Sequence, residues 1–377
     1  MIYLLIFLCF LLSVLIAWVI IPHIFLISLR KHLFDVPDER KIHKRAIPRL
    51  GGVSFFPTIL FSFCFVLTIR LLVGCELESV YTQKLLPEFL LLGCGMTLLY
   101  LTGIKDDLVG VRYSQKFAIQ LFCACLFPLS GLWVNDFYGL FGLHSLPFWL
   151  GMPFTVLIVV FTTNAINLID GIDGLASGLS GIALTILGVL FMEQELWTHS
   201  MFSFSAVGVL IPFFFYNVFS NGDRSRKIFM GDTGSLSLGY VLSFLAIKYS
   251  YYESSVMPDV PNAFLVAFST LILPVFDVMR VMLIRLRKKK PLFEPDRNHI
   301  HHKFLDMGYS ARQTMVFLLI LSLAFSLGNI WLIGFVNNTL LLMGNIVVWV
   351  GLNLWWDKRK RGKQMKRKLK ELENGRS

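Results

Sequence analysis

Residues 150–174 of this 377-residue chain read LGMPFTVLIVVFTTNAINLIDGIDG, an apolar run that closes on polar side chains. The apolar part is long enough to cross about 30 Å of hydrocarbon as a helix. Asn164, Asn167, Asp170 and Asp173 follow at intervals of three, a spacing that would place them along one stripe of a helix. A charged carboxylate in hydrocarbon costs at least about 2.5–3.5 kcal/mol, so this stripe indicates a compensating ligand, most simply a metal ion.

The composition indicates a chain dissolved mostly in lipid, with 55% apolar residues, 16% charged residues and 35 Phe. We predict an all-α, polytopic membrane protein, with residues 1–356 forming one domain and residues 357–377 a basic cytoplasmic tail. The first span carries no basic residue before His23 and no cleavage pattern, so we expect a retained anchor. The eleven predicted spans are 3–27, 51–73, 87–104, 117–134, 150–168, 175–193, 200–219, 235–252, 263–284, 313–335 and 340–356.

The basic residues predict the orientation of these spans. Alternate loops, at 30–50, 105–116, 221–233, 285–312 and 357–377, hold 31 of the 35 Lys and Arg residues, whereas the opposite loops hold only Lys84. The positive-inside rule therefore places the N-terminus outside and the C-terminus in the cytoplasm.

Two other classes of protein are disfavoured by the same residues. The six cysteines include no CxxC pair and mostly lie inside predicted spans, so they indicate no disulfide framework and are interpreted as apolar filling residues. The net charge of +11 comes from residues that flank spans, which favours anionic lipid headgroups as partners over nucleic acid.

Two loops on the predicted cytoplasmic side combine charge with glycine. Gly51-Gly52 follows the basic loop 30–50 and could present free N–H groups to an anion at a helix start, or could simply begin a flexible helix. Asp106-Asp107 follows the third span. Adjacent acids on a helix point about 100° apart, so one could face a metal ion or nucleophile while the other pairs with a Lys; an ordinary solvated acidic pair is the alternative.

Two further loops carry acids or histidines. Asp232 in Met230-Gly-Asp-Thr-Gly could cap the next helix, but a further acid at this membrane level favours a role as a ligand. His299, His301 and His302 invite a zinc interpretation. They cannot easily share one face and no cysteine joins them, so phosphate contact is favoured. Within the ninth span, Asp277 and Arg280 are expected to pair with each other in a structural role.

Together these segments resemble the polyprenyl-phosphate N-acetylhexosamine-1-phosphate transferase family, over nearly the whole chain apart from the basic tail. The resemblance is closer to the branch that initiates O-antigen, enterobacterial common antigen and teichoic acid linkage units. The branch that transfers phospho-muramoyl-pentapeptide usually has three consecutive histidines, whereas Ile300 interrupts them here. The motifs that carry the resemblance are DVPDERKIHKRAIPRLGG (35–52), GIKDDL (103–108), NAINLIDGIDGLASG (164–178), FMGDTGSLSLG (229–239) and PDRNHIHHKF (295–304).

The resemblance implies transfer of a sugar-1-phosphate, favouring GlcNAc-1-phosphate, from a UDP-N-acetylhexosamine to undecaprenyl phosphate at the bacterial inner membrane. It further implies Mg²⁺, for which Mn²⁺ could substitute, held by Asn167 and Asp232. Asp106 or Asp107 would position or deprotonate the lipid phosphate. The expected nucleotide and phosphate contacts are Asp170, Asp173, Lys116, Arg297, His299 and His301.

Three alternatives stay open at this point. The first is the phospho-muramoyl-pentapeptide reaction. The second, of another class, is an anion transporter, although transporter sites lie near the membrane midplane between repeats and no repeat is visible here. The third concerns assembly, because small-residue helix faces are compatible with a homodimer without defining its interface.

Overall fold

The computed structural model describes residues 1–35, 47–75, 82–220, 226–252, 260, 262–289 and 298–374. Within these ranges the chain is a bundle of α-helices, which confirms the prediction of an all-α polytopic membrane protein. The helices are α1 Ile2–Arg30, α2 Phe55–Leu72, α3 Thr82–Val109, α4 Tyr113–Leu129, α5 Phe148–Ile169, α6 Leu175–Glu193, α7 Trp197–Val218, α8 Gly231–Ser250, α9 Ala263–Ser269, α10 Ile272–Arg287, α11 Ile300–Asp306, α12 Ala311–Leu332 and α13 Asn338–Asn374.

Within the described ranges, eight helices are long and apolar enough to cross a membrane, namely α1, α2 with the preceding 3-10 turn, α3, α5, α6, α7, α12 and α13. Helices α9 and α10 together would form a ninth span, bent by 80° at the break between them. The two remaining predicted spans correspond to α4, which has only 17 residues, and to α8, whose sequence includes Asp232, Lys248 and several glycines and serines.

Two short antiparallel ladders accompany the helices and were not predicted. Strand β1 (Phe34–Asp35) pairs with β2 (Ile47–Pro48), and β3 (Asp136–Leu140) pairs with β4 (Leu143–Ser145). The second ladder turns through Phe141 and Gly142, both with positive φ, a geometry that suits the right-handed twist of a hairpin. Both ladders lie in segments between spans, so the membrane architecture is unchanged.

Helix α8 forms the centre of the bundle, since every residue from Thr233 to Ser250 is buried. Helices α3, α5, α6 and α9 pack around it. The contacts are close because small residues face it: a Cβ at Gly95 would overlap the Tyr240 hydroxyl, and a Cβ at Gly103 would overlap the Thr233 backbone. Protein therefore surrounds α8 on all sides, which explains why its polar sequence is tolerated.

Buried polar contacts near the far end of α8 fix it against α3. Lys248 donates to Glu88 Oε1 at 2.7 Å, and His199 Nε2 lies 3.6 Å from the other Glu88 oxygen. Lys248 is sixteen residues beyond Asp232, which corresponds to about 24 Å along a helix. This pair therefore anchors α8 well away from its first turn.

Gly51 and Gly52 do not form the anion site that their sequence suggested. Their N–H groups donate to the carbonyls of Phe229 and Met230, both at 2.9 Å, so the anion interpretation was wrong. A Cβ at Gly52 would overlap the backbone of Gly234, so glycine is needed for the close approach of these two segments. The glycine pair thus fixes the segment that leads into α8.

Candidate active site

The first turn of α8 is capped by a side chain from another helix. Asp107, near the end of α3, accepts hydrogen bonds from the N–H of Asp232 at 2.8 Å and the N–H of Thr233 at 3.0 Å, as well as from the Thr233 hydroxyl at 2.6 Å. Gly231 has a φ of +68°, and a Cβ there would come within 2.6 Å of both Asp107 carboxylate oxygens. Asp107 therefore satisfies N–H groups that a helix start leaves free, and leaves the Asp232 carboxylate available for other partners.

Lys116 joins the carboxylates of Asp106 and Asp232. Its ammonium group on α4 lies 3.0 Å from Asp106 Oδ2 and also donates to Asp232 Oδ2. Asp106 is oriented further by the N–H of Val111, which donates to Oδ1 at 2.6 Å. The structure thus brings together Asp106, Lys116 and Asp232 from three helices, and the two acids need positive charge between them.

Asn167, in the last turn of α5, completes this cluster. Its Nδ2 donates to Asp232 Oδ1 at 3.0 Å and to the Ser235 hydroxyl at 2.8 Å. Asn164, one turn earlier, does not reach the acids and instead forms a reciprocal amide pair with Gln120 of α4 at 2.8 and 3.3 Å. Asn167 is therefore the asparagine of the motif that belongs to the site.

The second half of the Asn/Asp motif leaves the helix, so the predicted single stripe was wrong. Helix α5 ends at Ile169, and Asp170 begins a turn that leads to Gly174. Asp173 pairs with Lys227, its Oδ2 lying 2.5 Å from the ammonium group. Burial, and after it the nearby carboxylates of Asp232, Asp173 and Asp107, raise the pKa of Asp170 to about 7.

The histidines of α11 lie against this turn. A Cβ at Gly171 would overlap the His301 imidazole, so glycine is required for the contact. His301 is 1% exposed, and among the described residues neither of its ring nitrogens has a hydrogen-bond partner. Burial, and then the neighbouring His302, lower the pKa of His301 to about 3, so its imidazole is neutral. The His299 ring stacks on it at 6.0 Å. Arg297 lies outside the described residues.

The donor atoms of the cluster suit a hard cation with few protein ligands. Among the described residues no group of three or more His, Cys, Asp and Glu side chains could hold a metal ion, which gives no support to a zinc site. Mg²⁺ commonly takes only one or two carboxylates together with substrate phosphates and water. The Asp232 carboxylate is a ligand of this kind, and its contact with Lys116 shows that the place accepts a cation. The Asn167 amide, whose nitrogen donates to Asp232 here, would turn its oxygen toward a bound ion.

Several residues of the site were not selected from the sequence. Thr233 binds Asp107, Lys227 binds Asp173, and Ser235 binds Asn167. Ser235 could have been found, because it lies three residues after Asp232 and so shares its helix face. From the sequence alone Lys227 contributes only to the charge pattern that predicts the orientation, because its partner Asp173 is distant in sequence.

Fold and site together define a multi-pass helical membrane protein with a cluster of carboxylates, amide and ammonium groups at helix ends. The model of glycosyl transferase family 4 matches residues 89–250. A probable undecaprenyl-phosphate N-acetylglucosaminyl 1-phosphate transferase of Bacillus subtilis is 31% identical over 353 residues, covering 90% of each chain.

Undecaprenyl-phosphate alpha-N-acetylglucosaminyl 1-phosphate transferases of enterobacteria are also similar. The protein of Yersinia pestis is 28% identical over 77% of this chain and 74% of its own length. That of Escherichia coli K12 is 27% identical over 75% and 72%. The chain therefore belongs to the polyprenyl-phosphate N-acetylhexosamine-1-phosphate transferase family, as its motifs indicated.

Proposed function

We propose that the protein transfers N-acetylhexosamine-1-phosphate, favouring GlcNAc-1-phosphate, from a UDP-sugar to undecaprenyl phosphate. The products are the diphosphate-linked lipid and UMP, and the reaction would begin the synthesis of a cell-surface polysaccharide. The observation that carries the proposal is the cluster of Asp106, Lys116, Asn167 and Asp232, assembled from four helices. Negative and positive groups side by side suit a reaction that must join two anions.

In this reaction an oxygen of the lipid phosphate attacks the β-phosphorus of the donor. The bond between that phosphorus and the bridging oxygen breaks, and UMP leaves with its α-phosphate. A phosphate near neutral pH is largely ionised, so a strong base is not required. Any remaining proton on the acceptor would pass to a carboxylate beside it.

The two adjacent acids have different contacts, and this difference supports different roles. Asp107 uses both carboxylate oxygens to hold the first turn of α8, whereas Asp106 shares Lys116 with Asp232. We therefore assign the contact with the acceptor phosphate to Asp106, with Lys116 neutralising the phosphate charge. Asp107 positions Asp232.

We assign Mg²⁺ to Asn167 and Asp232. When bound, the ion would neutralise the donor pyrophosphate and so reduce the repulsion between donor and acceptor. Asp170 and Asp173 would contact the nucleotide or the water around the ion, and His299, His301 and Arg297 the donor phosphates. A neutral His301 donates a hydrogen bond from one ring nitrogen and accepts one at the other, which suits a polar ligand at this buried position.

We further propose that α4, α8 and the bent pair α9–α10 also cross the membrane, which gives eleven spans. The N-terminus would lie outside, and the site would face the cytoplasm of a bacterial inner membrane. This placement supports the reaction, because the isoprenoid tail stays in the bilayer while the soluble donor arrives from the cytoplasm. Dimerisation stays a prediction.

The alternatives have weaker support. The relatives above are named for GlcNAc-1-phosphate transfer, which disfavours the muramoyl-pentapeptide reaction. A transporter would hold its solute near the middle of the membrane. Here Asp106 and Asn167 lie in the last turns of α3 and α5, and Asp232 in the first turn of α8.

The test incubates purified protein with undecaprenyl phosphate, Mg²⁺ and radiolabelled UDP-GlcNAc. We expect label in an organic-extractable lipid together with UMP, and loss of both in a chelator. Asn167→Ala and Asp232→Ala should each lower turnover by at least about a hundredfold, as removal of a transition-state contact does. Parallel reactions with UDP-GalNAc and UDP-MurNAc-pentapeptide compare the donors.

Three outcomes would contradict the proposal. One is transfer that continues unchanged in chelator with Asp232→Ala. Another is transfer from UDP-MurNAc-pentapeptide in preference to UDP-GlcNAc. The third is label that crosses the membrane of a vesicle without being transferred to lipid, which would show a transporter. Asn164→Ala is the matched control, because this asparagine pairs with Gln120 instead of the acids and should keep most of the activity.

A further inference from the structure

Asp277 lies inside the bent span formed by α9 and α10, and its side chain is 0% exposed. A carboxylate inside a membrane domain is costly unless strong partners surround it. Arg280, one turn later, donates to Asp277 Oδ1 at 2.8 Å, which confirms the pairing predicted from the sequence. That pair is only part of what Asp277 does.

The same carboxylate also holds the start of α11. Asp277 Oδ2 lies 2.9 Å from His299 Nδ1, and Oδ1 accepts the N–H of Ile300 at 3.0 Å. The guanidinium group of Arg280 also donates a hydrogen bond of 2.5 Å to the carbonyl of Asn298. Three consecutive residues, 298 to 300, are therefore fixed to α10 through one ion pair.

The chemistry of this contact sets the tautomer of His299. A carboxylate can only accept a hydrogen bond, so Nδ1 of His299 carries a proton and Nε2 is the nitrogen left for another partner. His299 stacks on His301, which in turn lies on Gly171 beside Asp170. The oriented imidazole thus borders the turn that we assign to the donor.

We infer that Asp277 is a positioning residue for the transfer reaction: it holds His299 so that Nε2 faces the donor phosphates. This inference rests on the proposed function. For histidines that bind a metal, removal of the carboxylate on the other ring nitrogen commonly lowers activity about tenfold to a hundredfold, and we expect a loss of the same order here.

The test measures kcat and KM for UDP-GlcNAc in Asp277→Asn, His299→Ala and the double variant. Each single substitution should lower kcat/KM by about tenfold to a hundredfold. Because Asp277 acts through His299, its removal should have no further effect once His299 is gone. The kcat/KM of the double variant should therefore be no lower than that of the less active single variant. Multiplied losses in the double variant, or full activity in Asp277→Asn, would overturn the inference.

Asp306→Asn is the matched control for general loosening of α11. Asp306 lies on the same helix, is 48% exposed and pairs with Lys360 at 2.6 Å, away from the histidines. It should retain the parent kcat/KM. A loss equal to that of Asp277→Asn would show that any disturbance of α11 suffices, which would contradict a specific role for Asp277.

A spectroscopic measurement covers the case in which Asp277→Asn does not fold. In protein labelled with ¹⁵N-histidine, the signals of His299 are identified by their loss in His299→Asn. A protonated Nδ1 supports the inference, whereas a bare Nδ1 overturns it. This measurement needs no turnover. A parent protein that transfers no label would contradict the proposed function, whereas the spectrum would still test whether Asp277 sets the tautomer of His299.

Discussion

Asp106 and Asp107 are neighbours in sequence, yet their carboxylates have different partners. Asp107 accepts three hydrogen bonds from the start of α8, and Asp106 accepts from Val111 and Lys116. Asp106→Asn should therefore lower kcat with little change in thermal stability. Asp107→Asn should lower both, because loss of a helix cap costs about 0.5–2 kcal/mol and displaces Asp232. Turnover and melting temperature, measured in one detergent, check both expectations.

A reversed result would contradict this division of roles. If Asp107→Asn keeps the parent melting temperature while Asp106→Asn destabilises the protein, then the capping contact does not hold α8. Thr233→Val provides a control for the cap, because it removes one of the three hydrogen bonds to Asp107 while retaining the shape and the backbone N–H.

Asp170 supplies a prediction about pH. Its pKa is raised to about 7 in the folded protein, whereas an unfolded chain has an Asp pKa of about 3.9. Between these values the unfolded chain binds fewer protons, so the residue destabilises the fold increasingly as pH rises from about 4 to about 7. Asp170→Asn should therefore raise the melting temperature in chelator at pH 8, by an amount corresponding to about 2–4 kcal/mol, and leave it unchanged near pH 4.

The melting temperature of both proteins is measured across this pH range. A difference that is as large at pH 4 as at pH 8 would contradict a titration of Asp170 and indicate a change in packing instead. The exposed Asp306, replaced by Asn, should show no such rise.

For individual residues, the sequence predicted which residues belong to the site better than it predicted their partners. Asp232 and Asn167 contact each other as expected, because each is a polar residue at the end of a predicted span, where it is unfavourable without a partner. The pairing of Asp277 with Arg280 follows from their spacing of three. Its contact with His299 could not be predicted, since it joins two elements through a tertiary fold.

Helix α13 packs against α11, the helix that carries His301 and His302. Trp356, 2% exposed, packs on Phe304 of α11 with ring centroids 5.1 Å apart. Lys303 donates to Asn353 at 3.0 Å and lies 2.8 Å from Asp357. The division at residues 356 and 357 into a membrane domain and a tail stays a prediction, although α13 runs through it unbroken to Asn374.

Trp356→Ala should therefore loosen α11 and lower transfer. Truncating a buried tryptophan costs about 3–5 kcal/mol, so we expect a clear fall in melting temperature and a several-fold loss of kcat. Trp355 is the matched control, since it is the same residue type on the same helix but is 49% exposed. Equal effects of both alanine variants, or none from Trp356→Ala, would contradict the bracing role of α13.

The elements also show where sequence reasoning is limited. Apolar length identified the spans, whereas α8 is held by packing on neighbouring helices, an effect that hydropathy does not measure. The two short ladders depend on turn geometry in segments without an alternating apolar pattern, so nothing in that pattern predicted them.

For the whole molecule, the number of spans decides where the site faces. Eleven spans, with α4 and α8 crossing, put all the basic loops on one side. If α4 did not cross, the loops at Gly110 and Gly142 would lie on the same side of the membrane. The side chain positions at both glycines are open, with no atom within 4 Å of an added Cβ, so both loops should accept a short epitope insertion.

We therefore expect an epitope after Gly142 to bind antibody on cells whose outer membrane is permeabilised or absent, and an epitope after Gly110 to bind only after the inner membrane is opened. The crossing of α8 is tested in the same way, with insertions beside two exposed residues, after Arg226 inside and after Tyr252 outside. A fluorescent protein at the C-terminus should report the cytoplasm. Since donor and acceptor can meet only where UDP-sugars are present, exposure of the Gly110 epitope on closed cells would place Asp106 on the wrong side and contradict the proposed reaction together with the orientation.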